Sequence, residues 1–323
     1  MMNDELQTDE LESLHLSSGS TVGSYLELMR LPNVFTAMAD VAMGFLFVQP
    51  LAMQWDAWTL AVLLAASSLL YLSGVVLNDV FDLDIDRQER PERPLPSGRV
   101  SLFAARLLGW KLLVLGVLLG SGTVFLVGHF RPGIMAALLA ACILLYDAWL
   151  KRTPIGPLAM GTCRAFNVLL GMSVLDAPLS TEHWLVAGGI VVYVMGVTWF
   201  ARHETEPSSR VQLSLSTLVM AVGISLLAWF PHWSDRTIPH VQNDPRHWYL
   251  LTGLLGLLIV WRCFWAVIEP VPARVRMAVA QCVLSIVMLD AVACYAIRGV
   301  FWAALILLLL LPAMFLGRWI EAT

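Results

Sequence analysis

Apolar residues run along this chain in long blocks separated by short polar breaks. Blocks lie near 33–50, 57–78, 103–127, 133–148, 157–175, 183–200, 211–230, 247–267, 276–296 and 299–317. Each approaches or exceeds the length a helix needs to cross about 30 Å of hydrocarbon. The junction Arg298-Gly299 either separates two spans or kinks one long pair, so the pattern predicts nine or ten transmembrane helices. The expected fold class is all-α, a polytopic membrane helical bundle. Residues 1–23 are acidic, polar and Ser/Thr-rich without a basic n-region, and read as a disordered tail instead of a cleavable signal peptide. Residues 24–323 read as a single transmembrane domain, since no linker or low-complexity segment interrupts the blocks.

Composition supports the same class. Of 323 residues, 58% are hydrophobic and only 14% charged, and the mean hydropathy is +0.73, which excludes a soluble globular protein. The net charge of −4 says little about partners, whereas its distribution sets orientation. One side collects Arg30, Arg87, Arg90, Arg93, Arg99, Lys151, Arg152, Arg202, Arg210, Arg274 and Arg276; the other has Arg131, Arg236, Arg246 and Arg298. Basic residues favour the cytoplasmic side. The loop after the second span is therefore expected there, in a bacterial inner membrane or an organelle membrane. The lipid bilayer is the expected environment and nucleic acid is not an expected partner. The five cysteines lie in apolar blocks without a C-x-x-C pair, as small buried residues do. Trp55, Trp58, Trp248 and Trp302 read as interfacial belt residues, and 231–246 as a plain surface loop.

The candidate chemistry concentrates after the second span, in Asn78-Asp79-Val80-Phe81-Asp82-Leu83-Asp84-Ile85-Asp86, with Arg87, Arg90, Arg93 and Arg99 following. Exposed charge at the end of an apolar helix is expensive unless it has a task. At about 100° per residue, Asp79, Asp82 and Asp86 fall within roughly 60° of one another, Asn78 lies about 40° from Asp82, and Asp84 points away. Three carboxylates and an amide on one face suit a hard divalent cation such as Mg²⁺. Neighbouring arginines suggest that the metal's partner is a phosphate, with Arg87 a candidate contact.

The pattern N-D-x-x-D-x-x-x-D at 78–86, followed by Arg93-Pro94-Leu95-Pro96-Ser97-Gly98, resembles the first aspartate motif of the UbiA superfamily of intramembrane prenyltransferases. Arg30-Leu31-Pro32-Asn33 and Tyr146-x-x-x-Leu150-Lys151-Arg152 are similar to family features at the first span and after the fourth. The resemblance implies that Asp79, Asp82 and Asp86 bind Mg²⁺, which holds the diphosphate of an isoprenoid donor near Asn78 and Asn33. Family members usually present a second motif, D-x-x-x-D, after the sixth span. This chain has Phe200-Ala201-Arg202-His203-Glu204-Thr205-Glu206. Its two glutamates would lie about 200° apart on a helix, so Glu206 alone is carried forward as a metal ligand. Arg202 and His203 are candidates to contact phosphate oxygens directly.

Lys151 and Arg152 are either positive-side anchors or a phosphate clamp, and Arg164 either snorkels or joins that clamp. Asn167, three residues on, shares the face of Arg164. Asp40 and Asp290 are ionisable groups at membrane depth, either site residues or halves of a structural pair, for example with Arg262. Gly116-x-x-x-Gly120 permits close helix packing.

The function implied is prenyl transfer. A polyprenyl diphosphate would lose diphosphate with the help of Mg²⁺, Asp79, Asp82, Lys151, Arg152 and Arg202. Apolar walls would protect the allylic cation until a hydrophobic, commonly aromatic, acceptor captured it. The alternative is a non-catalytic descendant that binds or moves an isoprenoid lipid, which the altered second motif would favour.

Overall fold

A computed structural model describes residues 21–49, 56–202, 209–234, 238–243 and 245–317. Helices account for the ordered elements throughout, and no strand occurs among the described residues. Residues 1–20 of the expected tail lie outside them, while 21–23 already belong to helix α1 (Thr21–Leu28).

The membrane helices follow in order: α2 (Val34–Val48), α3 (Ala57–Phe81), which leads into the short α4 (Leu83–Glu89), α5 (Leu102–Gly122), α6 (Arg131–Ala148), α7 (Gly156–Met172), α8 (Thr181–Ala201), α9 (Arg210–Trp229), α10 (Pro245–Ile268) and α11 (Pro272–Arg298). The chain ends in α12 (Val300–Leu307) and α13 (Leu310–Gly317). Pro312 has no N–H to donate to the carbonyl of Leu308, which accounts for the break at Leu308 and Leu309.

Nine helical stretches among the described residues are long and apolar enough to cross a membrane. Helix α7, with 17 residues, falls just short of that length, yet it too makes a pass. It starts beside the Lys151 loop, and α8 returns Arg202 to that loop, where its guanidinium donates to the carbonyl of Thr153. The final pair completes a tenth pass, because the Cβ position of Gly317 lies 3.9 Å from Pro32, next to Arg30. The protein is thus an integral, multi-pass membrane protein whose described ends meet at the Asp-rich face.

Packing is tightest between α2 and α7. A Cβ on Gly44 would stand 2.3 Å from the carbonyl oxygen of Val168, and one on Gly171 would stand 2.3 Å from that of Val41. Small residues let two backbones touch where lipid provides no hydrophobic drive between helices. Gly116 and Gly120 serve the same end on α5, against Leu70 and Ala136. At the opposite face, Arg298 caps α2 by donating to the carbonyls of Leu46 (2.8 Å) and Gln49 (2.6 Å).

Two expectations fail here. The loop over 231–246 is not plain surface: Ile238 and Val241 are buried core residues, and His240 packs against Tyr295. Trp248 is not interfacial either. It is fully buried, donates its indole N–H to the carbonyl of Ala228 at 3.0 Å and packs edge-on against Phe230. Its long indole reaches a free carbonyl at the end of α9, which a hydropathy pattern cannot register.

Candidate active site

The site begins where α3 stops. Asn78 and Asp79 sit in its last turn, and the backbone departs from helix at Asp82 (φ −97°, ψ 4°) before α4 resumes. A small apolar cluster of Leu28, Val76, Leu83, Leu95, Val100 and Ala105 anchors this turn from beneath. Pro91, Pro94 and Pro96 fix the following loop. Ser97 closes it by donating to the carbonyl of Arg93 at 2.6 Å, and Arg99 ties it to α1 through Glu27 at 2.6 Å. That ion pair holds the Arg99 guanidinium above its usual range, the hydrogen bond to Glu27 outweighing burial.

Every acidic residue of the motif except Asp84 is held by a cation from outside the motif. Arg30 contacts Asp79 at 2.7 Å, and Arg93 bridges Asp86 (3.0 Å) and Asp79 (3.7 Å). Lys151 Nζ donates to Asp82 Oδ2 (2.7 Å) and to Asn78 Oδ1 (2.9 Å). Arg152 reaches Asp82 Oδ1 at 3.2 Å. Arg30 has φ 43° and ψ 49°, a left-handed backbone and the one positive φ at a non-glycine position among the described residues. Such strain persists only where the surroundings over-determine it, and here the ion pair to Asp79 does so.

These residues surround two neighbouring spaces. The outer chamber, of about 310 Å³, is lined by Arg30, Arg90, Arg93, Lys151 and Arg152 against Asp82, Asp86 and Glu89. Five cations facing three carboxylates suit a polyanionic headgroup. The inner cavity, of about 450 Å³, has walls that include Ala37, Val75, Leu139, Ile143, Val197 and Ile286. Arg30 and Asn78 line both spaces and mark their junction.

The sequence-predicted residues distribute unevenly over this frame. Asn78, Asp82, Asp86, Lys151 and Arg152 line the outer chamber, with Asp79 buried just behind it. Asn33, Arg164 and Asn167 line the inner cavity. Arg164 contacts Asp40 at 2.8 Å and the Thr36 hydroxyl at 2.7 Å, with the Tyr71 ring 5.7 Å away. The suggested pairing of Asp40 with Arg262 is therefore replaced by Arg164, while Asp290 packs fully buried on α11. Asn167 joins the group by donating to Asp40 (3.0 Å) and accepting from Ser67 (2.7 Å). Arg87 lies outside both spaces, exposed and paired to Asp84 at 3.1 Å on the outer flank of α4. Arg202 holds Thr153, so it braces the Lys151 loop. His203, Glu204 and Glu206 lie outside the described residues.

No group of three or more His, Cys, Asp or Glu side chains converges to metal-binding geometry among the described residues. The donor set still fits a hard cation, since Asp79, Asp82, Asp86 and Asn78 offer oxygen ligands across the junction of α3 and α4. Sequence reasoning missed Arg30 as the partner of Asp79, and it missed Asp147. The latter is buried (3% exposed), lines the inner cavity and has an unpartnered Oδ2. A carboxylate next to Tyr146 at the end of an apolar block was the available signal.

Known proteins resemble this chain in fold and in sequence. The fold is similar to that of a UbiA homolog from Archaeoglobus fulgidus bound to GPP and Mg²⁺, with a TM-score of 0.64 and 15% identity over 86% of this chain and 100% of that one. A structure of digeranylgeranylglyceryl phosphate synthase matches with a TM-score of 0.60 and 20% identity, over 87% and 99%. In sequence the chain is 32% identical over 166 residues to the digeranylgeranylglyceryl phosphate synthase of Saccharolobus solfataricus, covering 50% of this chain and 54% of the relative. It is likewise 32% identical over 170 residues to that of Ignicoccus hospitalis, covering 52% and 51%. These matches span about half the length of each relative. The family's sequence profile reaches much further, from 37 to 322, and the chain belongs to the UbiA prenyltransferase family.

Proposed function

We propose that this protein transfers an isoprenyl group from a prenyl diphosphate to an acceptor within the membrane. One observation carries the reading: a cation-rich chamber shares Arg30 and Asn78 with a largely apolar cavity beside it. A prenyl diphosphate has the same polarity, a charged head joined directly to a hydrocarbon tail. The A. fulgidus homolog bound to GPP and Mg²⁺ supports this donor class.

In this reading Asp79, Asp82 and Asp86, with Asn78, hold Mg²⁺, which when bound takes up negative charge on the diphosphate. The chain's own part begins with exchange of partners: Lys151, Arg152, Arg30 and Arg93 pass from carboxylates to phosphate oxygens as the headgroup enters. Lys151 and Arg152 then stabilise charge on the departing diphosphate. The inner cavity excludes water around the allylic carbon. The relatives' names favour a glyceryl phosphate acceptor over an aromatic ring, so the acceptor class is taken as a lipid hydroxyl. The Asp-rich face is assigned to the cytoplasmic side, in a bacterial or organelle membrane, by its surplus of Lys and Arg.

The test is Mg²⁺-dependent release of diphosphate from GPP by purified protein in nanodiscs, with Asp82→Ala alongside. Release by the wild type and none by the variant is the expected result. Binding of GPP without release from it or from longer prenyl diphosphates would favour the lipid-binding alternative.

A further inference from the structure

We infer that Asp147 is the general base that takes the proton from the acceptor hydroxyl, an inference that rests on the transferase reading. The reacting carbon of a prenyl diphosphate is the atom where head and tail join, so it belongs where the two spaces join. Asn78 marks that junction. On the outer side stands Lys151, 2.9 Å from the Asn78 side chain. On the inner side stands Asp147, which lines the cavity together with Asn78 and Tyr146 and does not line the outer chamber.

Three properties single out this carboxyl. It is the one carboxylate among the residues lining the inner cavity. It is buried, and its Oδ2 has no hydrogen-bond partner, although buried polar atoms are ordinarily satisfied. Among the other buried carboxyls of the region, Asp79 pairs with Arg30, Asp86 with Arg93 and Asp40 with Arg164 through one oxygen, and Asp290, with both oxygens unpartnered, does not line the cavity. Local backbone explains its position. Helix α6 ends at Ala148 and the chain turns sharply at Trp149 (φ −146°, ψ −53°), so Lys151 is carried to the outer chamber while Asp147 remains at the cavity wall. The charged groups acting on it are Lys151, Arg30, Asp79 and Asp82.

The step balances as follows. The acceptor oxygen forms a bond to the allylic carbon, and the bond from that carbon to the diphosphate oxygen breaks, its electron pair leaving with diphosphate. The hydroxyl proton passes to the Asp147 carboxylate, which later returns it to solvent. A base held in place for such a transfer contributes about 10²–10⁴-fold.

The experiment uses the full chain in nanodiscs with GPP, Mg²⁺ and one of two nucleophiles: a glyceryl phosphate monoether lipid, whose hydroxyl must lose a proton, or azide ion, which has none to lose. Asp147→Asn is expected to lower transfer to the lipid by about 10²-fold or more, with GPP binding, Mg²⁺ dependence and geranyl azide formation kept. Asp147→Glu should recover part of the lipid reaction, and thermal melting of both variants checks folding. Wild-type transfer to the lipid by Asp147→Asn would overturn the base assignment alone. An equal loss with azide, or a raised Mg²⁺ requirement, would overturn it in favour of a role in leaving-group departure or metal binding. Failure of the wild type to release diphosphate would overturn the transferase reading itself, and the base with it.

Discussion

Arg164 and Asp40, 124 residues apart in sequence, meet at 2.8 Å between α7 and α2, with Asp40 wholly buried. Each charge justifies the other at membrane depth; Arg164 also donates to the Thr36 hydroxyl, and Asn167 donates to the same Asp40 oxygen.

Removing one partner leaves the other charge buried and uncompensated. Asp40→Ala is therefore expected to destabilise the protein by about 3–5 kcal/mol. The double variant Asp40→Leu with Arg164→Met should recover most of that loss, because a buried pair is often no better than well-packed apolar residues. Thermal unfolding in detergent, run as a double-mutant cycle, measures both effects.

Lys151 and Arg87 were equal candidates by charge and separate completely in space. Lys151 joins Asn78 to Asp82 at the chamber wall, whereas Arg87 faces outward. Lys151→Met should lower diphosphate release from GPP by roughly 10²–10³-fold, and Arg87→Ala should leave it unchanged. Steady-state release rates on matched nanodisc preparations decide the point.

Gly171 has no room for a side chain, since its Cβ would stand 2.3 Å from a backbone oxygen of α2. Gly171→Val should force α2 and α7 apart, at about 1–3 kcal/mol or more, and carry Arg164 away from Asp40. Gly188→Ala on α8, where nothing lies within 4 Å, should be neutral or slightly stabilising. Melting temperatures of the two variants provide the comparison.

Asp56 caps α3 by accepting from the backbone N–H groups of Trp58 (3.0 Å) and Thr59 (3.2 Å) and from the Thr59 hydroxyl. The Thr59 hydroxyl is the main reason its carboxyl lies below the usual range. A group depressed on folding adds stability above its unfolded value, near 4, and loses it as pH falls through the folded value. Asp56→Ala should thus cost about 1 kcal/mol at neutral pH, and the difference from wild type should shrink on acidification below about pH 4. Melting curves across that range test the sign.

Sequence by itself determined the class, the number of passes to within one, and the Asn78–Asp86 motif, because hydropathy blocks and short spacings are local properties. It also marked Asp84 as the odd carboxylate, and that side chain is 93% exposed. Partner choice was not legible. That Arg30 takes Asp79, Arg164 takes Asp40 and Trp248 turns inward depends on which helix faces which, and residues 20 to 124 positions apart share no local pattern. The Gly44–Gly171 crossing fixes the pairing of α2 with α7. That three-dimensional contact brings Arg164 to Asp40, and only the tertiary structure shows that Asp147 lines the inner cavity with a buried, unpartnered Oδ2. A lone carboxylate and a paired one look alike in a sequence; burial and distance separate them.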